Sequence, residues 1–208
     1  MVTNLDKVSC AKCLGIKIDD KLSWKEQISF VNSKISKCIG ILYKCRHLLN
    51  THWRLNLYKT LVLPHLNYCN MIWSSTYPSN LQSLFIKQKM ALKYALNVSI
   101  DTSSESVFSQ SKATTLHGIN RIQTGIFMYK YHHHLLPHDY DFNCTVNNEL
   151  HQYNTRSNTL YHLPRPRTTR FKFSMLYKGP ALWNVLPNNI KCASSLQVAK
   201  HLLKTYFM

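Results

Sequence analysis

Four groupings of residues in this chain have types and spacings that could carry chemistry: an Asp-Asp pair, two clusters of metal-ligand types, and an arginine-rich tail. Asp19-Asp20 could in principle hold divalent ions, which activate a nucleophile in phosphoryl transfer. They follow an apolar alternation and precede a helix start, however, where acidic residues serve as a solvated turn. Cys10 and Cys13 form a Cys-x-x-Cys, half of a zinc site. The second ligand pair such a site needs does not follow, since Cys38 and Cys45 are spaced as neighbours along a helix face. His132, His133 and His134 are consecutive and so point in different directions; with His138, at most two could reach one ion. No Gly-x-Ser-x-Gly or comparable nucleophile setting occurs, and only 9 acids are available to orient a base. These readings name no catalytic residue, no metal ligand and no cofactor. Seven cysteines without an export signal are expected to be reduced thiols.

The tail offers a different chemistry. Arg156, Arg165, Arg167, Arg170 and Lys172 fall in a span without a single acid, interleaved with Tyr161, Phe171 and Phe173. Guanidinium forks suit phosphates and aromatic faces suit unstacked bases, so the span reads as a contact for single-stranded or template RNA. Pro164 and Pro166 are expected to keep it extended. The competing reading has these arginines covering helices and satisfying helix C-termini. The whole chain leans the same way, with 26 Lys+Arg and a formal charge of +17. Such a field attracts polyanions and steers association without specifying a fold. Nucleic acid is the first partner expected, and an anionic membrane surface ranks behind it. No apolar run approaches the roughly 18 residues that span a bilayer, and the N-terminus lacks a secretory h-region. An intracellular place, in cytoplasm or nucleus, is expected.

The elements that must position these residues are mainly helical. Leu14, Ile16 and Ile18 alternate as a half-buried strand does, and Ser23 with Glu26 predicts a capping box. Ile28, Val31, Ile35, Ile39 and Leu42 then form the apolar stripe of a long helix. Its other face carries Lys25, Lys34, Lys37, Lys44 and Arg46. Thr51 is expected to cap a second helix with Trp53, Leu55, Tyr58, Leu61, Val62, Leu66 and Met71, kinked or restarted at Pro64. The first two helices should pair as an antiparallel hairpin. Ser79 with Gln82 predicts a capping box for a third helix presenting Lys87, Lys89 and Lys93 outward. Further helices are expected from about Ile119 to His134, from Phe173 to Leu186 with a break at Gly179-Pro180, and after Ser194 or Ser195. The expected fold is mainly α: an N-terminal strand or hairpin, a helical bundle, and a basic, partly irregular C-terminal region with further helices. The divisions expected are 1–22, 23–98, a Ser/Thr-rich linker at 99–118, and 119–208.

Five stretches also carry a family resemblance. The first runs from Leu14-Gly15-Ile16 through Leu22-Ser23-Trp24 into a helix with Lys34-Ile35-Ser36 and Gly40-Ile41-Leu42; the others are Leu63-Pro64-His65-Leu66-Asn67-Tyr68-Cys69, Tyr153-Asn154-Thr155-Arg156-Ser157-Asn158, Pro164-Arg165-Pro166-Arg167-Thr168, and Gly179 through Pro187. In that order they resemble the region downstream of the catalytic palm in reverse transcriptases (RNA-directed DNA polymerases) of non-LTR retrotransposons. The resemblance covers roughly Cys13 to the end. It implies primer-grip-like strands in 1–22, with Leu14 and Gly15 at the grip, a thumb-like bundle in 23–98, and RNA or RNA–DNA duplex as ligand. It also implies that the paired aspartates and their magnesium belong to a palm preceding Cys13, because Asp19-Asp20 stands in the wrong place in the family's order. Polymerisation would then need a palm-bearing chain as partner. The alternative is a degenerate, non-catalytic remnant that binds polyanions without specificity and self-associates through exposed apolar faces.

Overall fold

The computed structural model describes residues 8–137, 142–150 and 157–208. It is mainly helical, as expected, and of the strand or hairpin expected at the N-terminal end it has a two-stranded antiparallel hairpin. The chain divides into two compact units, Met1–Leu116 and His117–Met208.

In the first unit, β1 (Cys10–Cys13) pairs with β2 (Ile16–Asp19), Cys13 opposite Ile16. The expected strand is thus two strands, and Leu14 lies in the turn between them rather than on a pleat. Leu14 and Gly15 both take positive φ, 47° and 82°, the left-handed pair that a two-residue hairpin demands. Ile16, at 5% exposure, is the residue that faces inward.

Asp19 then starts α1 (Lys25–Cys45). Its carboxylate accepts from the backbone N–H of Ser23 and of Trp24, both at 2.8 Å. The Ser23–Glu26 capping box does not form, because Trp24 occupies the N-cap in a left-handed conformation without a side-chain cap. Asp19 takes over the role the serine was expected to play. It is also buried rather than solvated. Burial opposes its charged form, but the N–H bonds from Ser23 and Trp24 outweigh burial and hold its pKa below the ordinary value.

The α1 stripe buries Ile28, Val31, Ile35, Cys38 and Leu42. Its main neighbour is α5 (Pro78–Leu96), and not the second helix as expected. Between them run α2 (Thr51–Leu57), a π turn (Tyr58–Val62), α3 (Leu63–Asn67) and α4 (Asn70–Trp73). Pro64 has no N–H to return to Thr60, and the wider π turn just before it absorbs that loss. Asn50, not Thr51, caps α2 by accepting from Trp53 N–H at 3.1 Å. Tyr77 is the N-cap of α5 with Pro78 in its first turn, so the Ser79–Gln82 box is also absent. Trp53 is 57% exposed and anchors nothing, whereas Tyr58, Val62, Leu66 and Trp73 fill the core. α6 (Ser104–Ser111) packs on α5, where Phe85 and Phe108 stack at 5.8 Å.

The second unit holds most of α7 (Leu116–His132), α8 (Asn147–Leu150), α9 (Thr169–Phe173), α10 (Met175–Val185), α11 (Asn188–Lys191) and α12 (Leu196–Tyr206). Its core gathers Met128, Tyr129, Phe142, Tyr161, Trp183, Leu186 and Leu203. The expected break at Gly179-Pro180 falls instead at Ser174, and α10 runs through Pro180. Gly179, Pro180 and Trp183 are buried there, and burial of that face offsets the hydrogen bond the proline cannot make. Ser195 caps α12 by accepting from Val198 N–H at 3.3 Å.

Candidate nucleic-acid interface

The outer side of α1 carries the most regular basic surface. Phe30, Lys34, Lys37, Ile41 and Lys44 recur at intervals of four and three, and all five are exposed. Such a row stays on one side of a helix and here spans about 21 Å at 1.5 Å per residue. The Lys34 ammonium lies 5.4 Å from the Phe30 ring centroid, and that of Lys17 lies 5.7 Å away. Lys17 also meets Glu26 at 4.0 Å, with both side chains well exposed, an ion pair that contributes little. Lys25 is exposed in the first turn, off the row.

The three lysines of α5 do not share a face. Lys87 turns toward α1 and donates to Asn32 O at 3.0 Å and Ser36 Oγ at 2.5 Å. Lys89 lies over the Phe85 ring at 4.9 Å. Lys93 donates to Ile100 O. Two of these ammoniums therefore fasten the unit internally. The Arg46 guanidinium carbon lies 3.7 Å over the Tyr43 ring centroid, and Arg46 donates from Nε to His47 Nε2 at 2.7 Å.

The Leu14–Gly15 turn is braced by the second motif of the sequence. Tyr68 O–H donates to Leu14 O at 2.6 Å, and Tyr68 O in turn accepts from Trp73 Nε1 at 2.7 Å. Leu14 remains 85% exposed at the hairpin tip.

In the second unit Arg165, Arg167, Arg170 and Lys172 are exposed, and Arg156 lies outside the described residues. Arg170 and Lys172 sit on α9, so the extended run ends at Thr168. Tyr161 does not offer a face to bases: it is 7% exposed, and its hydroxyl lies 3.0 Å from His132 Nδ1. Asn184 holds the Tyr161 backbone twice, accepting its N–H at 3.0 Å and donating to its carbonyl at 2.9 Å. Trp183, 3% exposed, is packing. Lys178 escaped the sequence reading: it donates to Asn120 Oδ1 at 3.2 Å, and burial pushes its pKa down to about 8.

Among the described residues, no group of three or more His, Cys, Asp or Glu could hold a metal ion. Asp19 and Asp20 do not fit a magnesium pair, because both oxygens of Asp19 are engaged by backbone N–H groups. Cys10 and Cys13 close the two ends of β1, and His133 Nε2 lies 2.8 Å from Lys191 O. No described helix is long and apolar enough to cross a membrane.

Arg54 also went unread in the sequence. It is 6% exposed and donates to Ala95 O at 2.8 Å, Arg46 O at 2.7 Å, Leu49 O, and Thr51 Oγ1 at 2.9 Å. Nothing in its neighbourhood in the chain signals this, since all but one of its acceptors are backbone carbonyls. Lys34, Lys37 and Lys44 of the α1 row, by contrast, are legible in the sequence from their helical spacing alone.

No protein-family model matches the chain, and no match was found among curated proteins or solved structures.

Proposed function

We propose that this chain is a nucleic-acid-binding portion of a reverse transcriptase of the non-LTR retrotransposon type, its thumb-like bundle and basic tail gripping primer–template or element RNA. The observation that carries the reading is the exposed α1 row, with Lys34, Lys37 and Lys44 on one side of a helix whose opposite side is core. A duplex backbone presents charges along a line, and a row of cations on a rigid helix can follow it. The order of the resembling motifs supports the polymerase assignment, as does the contact of two of them at Tyr68 and Leu14. Among the described residues no acidic group is placed to hold a metal ion, and on this reading polymerisation would require a palm supplied with the chain.

Reversing the charges in a Lys34→Glu, Lys37→Glu, Lys44→Glu triple variant should weaken binding to an RNA–DNA duplex. It should also flatten the salt dependence, each lost phosphate contact removing about 0.7 to 0.9 from the log–log slope. Affinity and slope equal to the unmodified chain would remove α1 from the interface. A second reading, a non-catalytic remnant that self-associates, draws on the apolar residues left outside, among them Leu14 at 85%, Leu48 at 81% and Val185 at 72% exposure. Sedimentation of the purified chain separates the two: concentration-dependent oligomers with weak, sequence-blind polyanion binding favour the remnant.

A further inference from the structure

At the corner where α1 hands over to α2, a planar cation and an exposed aromatic are already assembled. Tyr43 is 47% exposed, and the Arg46 guanidinium lies 3.7 Å over its ring. Tyr94 supports the same ring edge-on at 5.3 Å. Trp53, at 57% exposure, stands on the same corner. The segment is held from beneath, because Arg54 bonds the carbonyls of Arg46 and Leu49 and the hydroxyl of Thr51. Exposed loops are ordinarily mobile, so an aromatic and a guanidinium held in register by a buried arginine form a preorganised surface, for which little ordering entropy remains to be lost on binding.

We propose that this corner binds an unpaired nucleobase of a single-stranded nucleic acid, stacked on the outer face of the Arg46 guanidinium. The inference rests on the nucleic-acid reading above and specifies the state of the strand. Paired bases in a duplex are covered on both faces by their neighbours, whereas Arg–aromatic planes take up bases that have left the stack. The charge alone would attract any polyanion. The stack adds a dependence on the base.

The test compares a short oligoribonucleotide with the same strand made abasic at a single position, titrated against the full chain by fluorescence anisotropy. The unmodified chain should prefer the strand with its base by about fivefold or more, the range that stacking of one base supplies. Arg46→Lys keeps the charge but loses the plane, and Tyr43→Leu removes the ring beneath it. Both should bring the preference close to one. An equal preference in all three proteins, with their circular dichroism superimposable, would overturn the proposal, as would the absence of any preference in the unmodified chain. A blunt RNA–DNA duplex titrated in parallel separates the two claims. Absence of duplex binding by the unmodified chain, with the base preference present, removes the duplex reading and keeps this one.

Discussion

At the scale of single residues, the first unit depends on a buried arginine bonded only to uncharged oxygens. A desolvated guanidinium ordinarily needs a carboxylate. Arg54 instead meets carbonyls at the ends of two helices: Arg46 O just past the end of α1, and Ala95 O in the last turn of α5. Helix C-termini carry about half a negative charge and unsatisfied carbonyls, so the two ends together serve as the counter-charge. Arg54→Met should therefore cost about 3 kcal/mol or more, because charged hydrogen bonds are lost and their buried acceptors are left unmade. Arg54→Lys should recover only part of it, since one ammonium cannot span the divergent carbonyls that a fork reaches. Urea midpoints of the two variants measure this; equal midpoints for Arg54→Met and the unmodified chain would refute it. Gln88 plays the neutral counterpart. It is fully buried, donates to Tyr58 Oη at 3.0 Å and Thr114 O at 2.9 Å, and accepts from Leu116 N–H at 2.8 Å. Both residues are polar in otherwise apolar stripes, which is why periodicity overlooked them.

At the scale of elements, two helical glycines with the same local cost have opposite roles. Gly40 lies on the exposed side of α1, and a Cβ there would meet nothing within 4 Å. Gly125 lies in α7, where a Cβ would come within 2.7 Å of Leu203 Cδ2, a side chain of α12 that is fully buried. Gly40→Ala should stabilise by about 0.5–1 kcal/mol through backbone entropy. Gly125→Ala gains the same term but overpacks a filled core, which costs about 1–3 kcal/mol, so the balance should be destabilising. Thermal melts of the two variants should move in opposite directions. Parallel shifts would mean that the α7–α12 contact is looser than its geometry indicates. The same reasoning explains Gly179, whose missing side chain lets α10 approach Met128 of α7.

At the scale of the whole molecule, charge dominates. With a formal +17 over 208 residues, self-repulsion opposes the compact state and is relieved by counter-ions. Raising the salt from about 10 mM to 150 mM shortens the screening length from about 30 Å to 8 Å. The melting temperature of the chain should accordingly rise over this range, and a short polyanion should raise it further by mass action. A melting temperature that falls with salt would mean that ion pairs outweigh repulsion, contrary to a described surface whose one recorded bridge is the long Lys17–Glu26 contact. Salt should thus act in two directions, strengthening the fold while weakening the proposed grip on nucleic acid.

The sequence by itself determined the class of fold, the long first helix with its buried stripe, and the basic character of the surface, because apolar period and charge are local properties of the chain. It located the turn after β2 but assigned the helix cap to Ser23, since only the folded hairpin brings the Asp19 carboxylate onto the Ser23 and Trp24 N–H groups. It counted Lys87, Lys93 and Tyr161 as outward-facing, whereas the structure buries Tyr161, turns Lys87 onto the Asn32 carbonyl of α1 and engages Lys93 at the surface with the Ile100 carbonyl. Which cations remain available, and which buried arginine holds the end of α1 against α5, were decided by tertiary structure alone. Those arrangements depend on which helix ends meet, and no periodicity within a single helix encodes that.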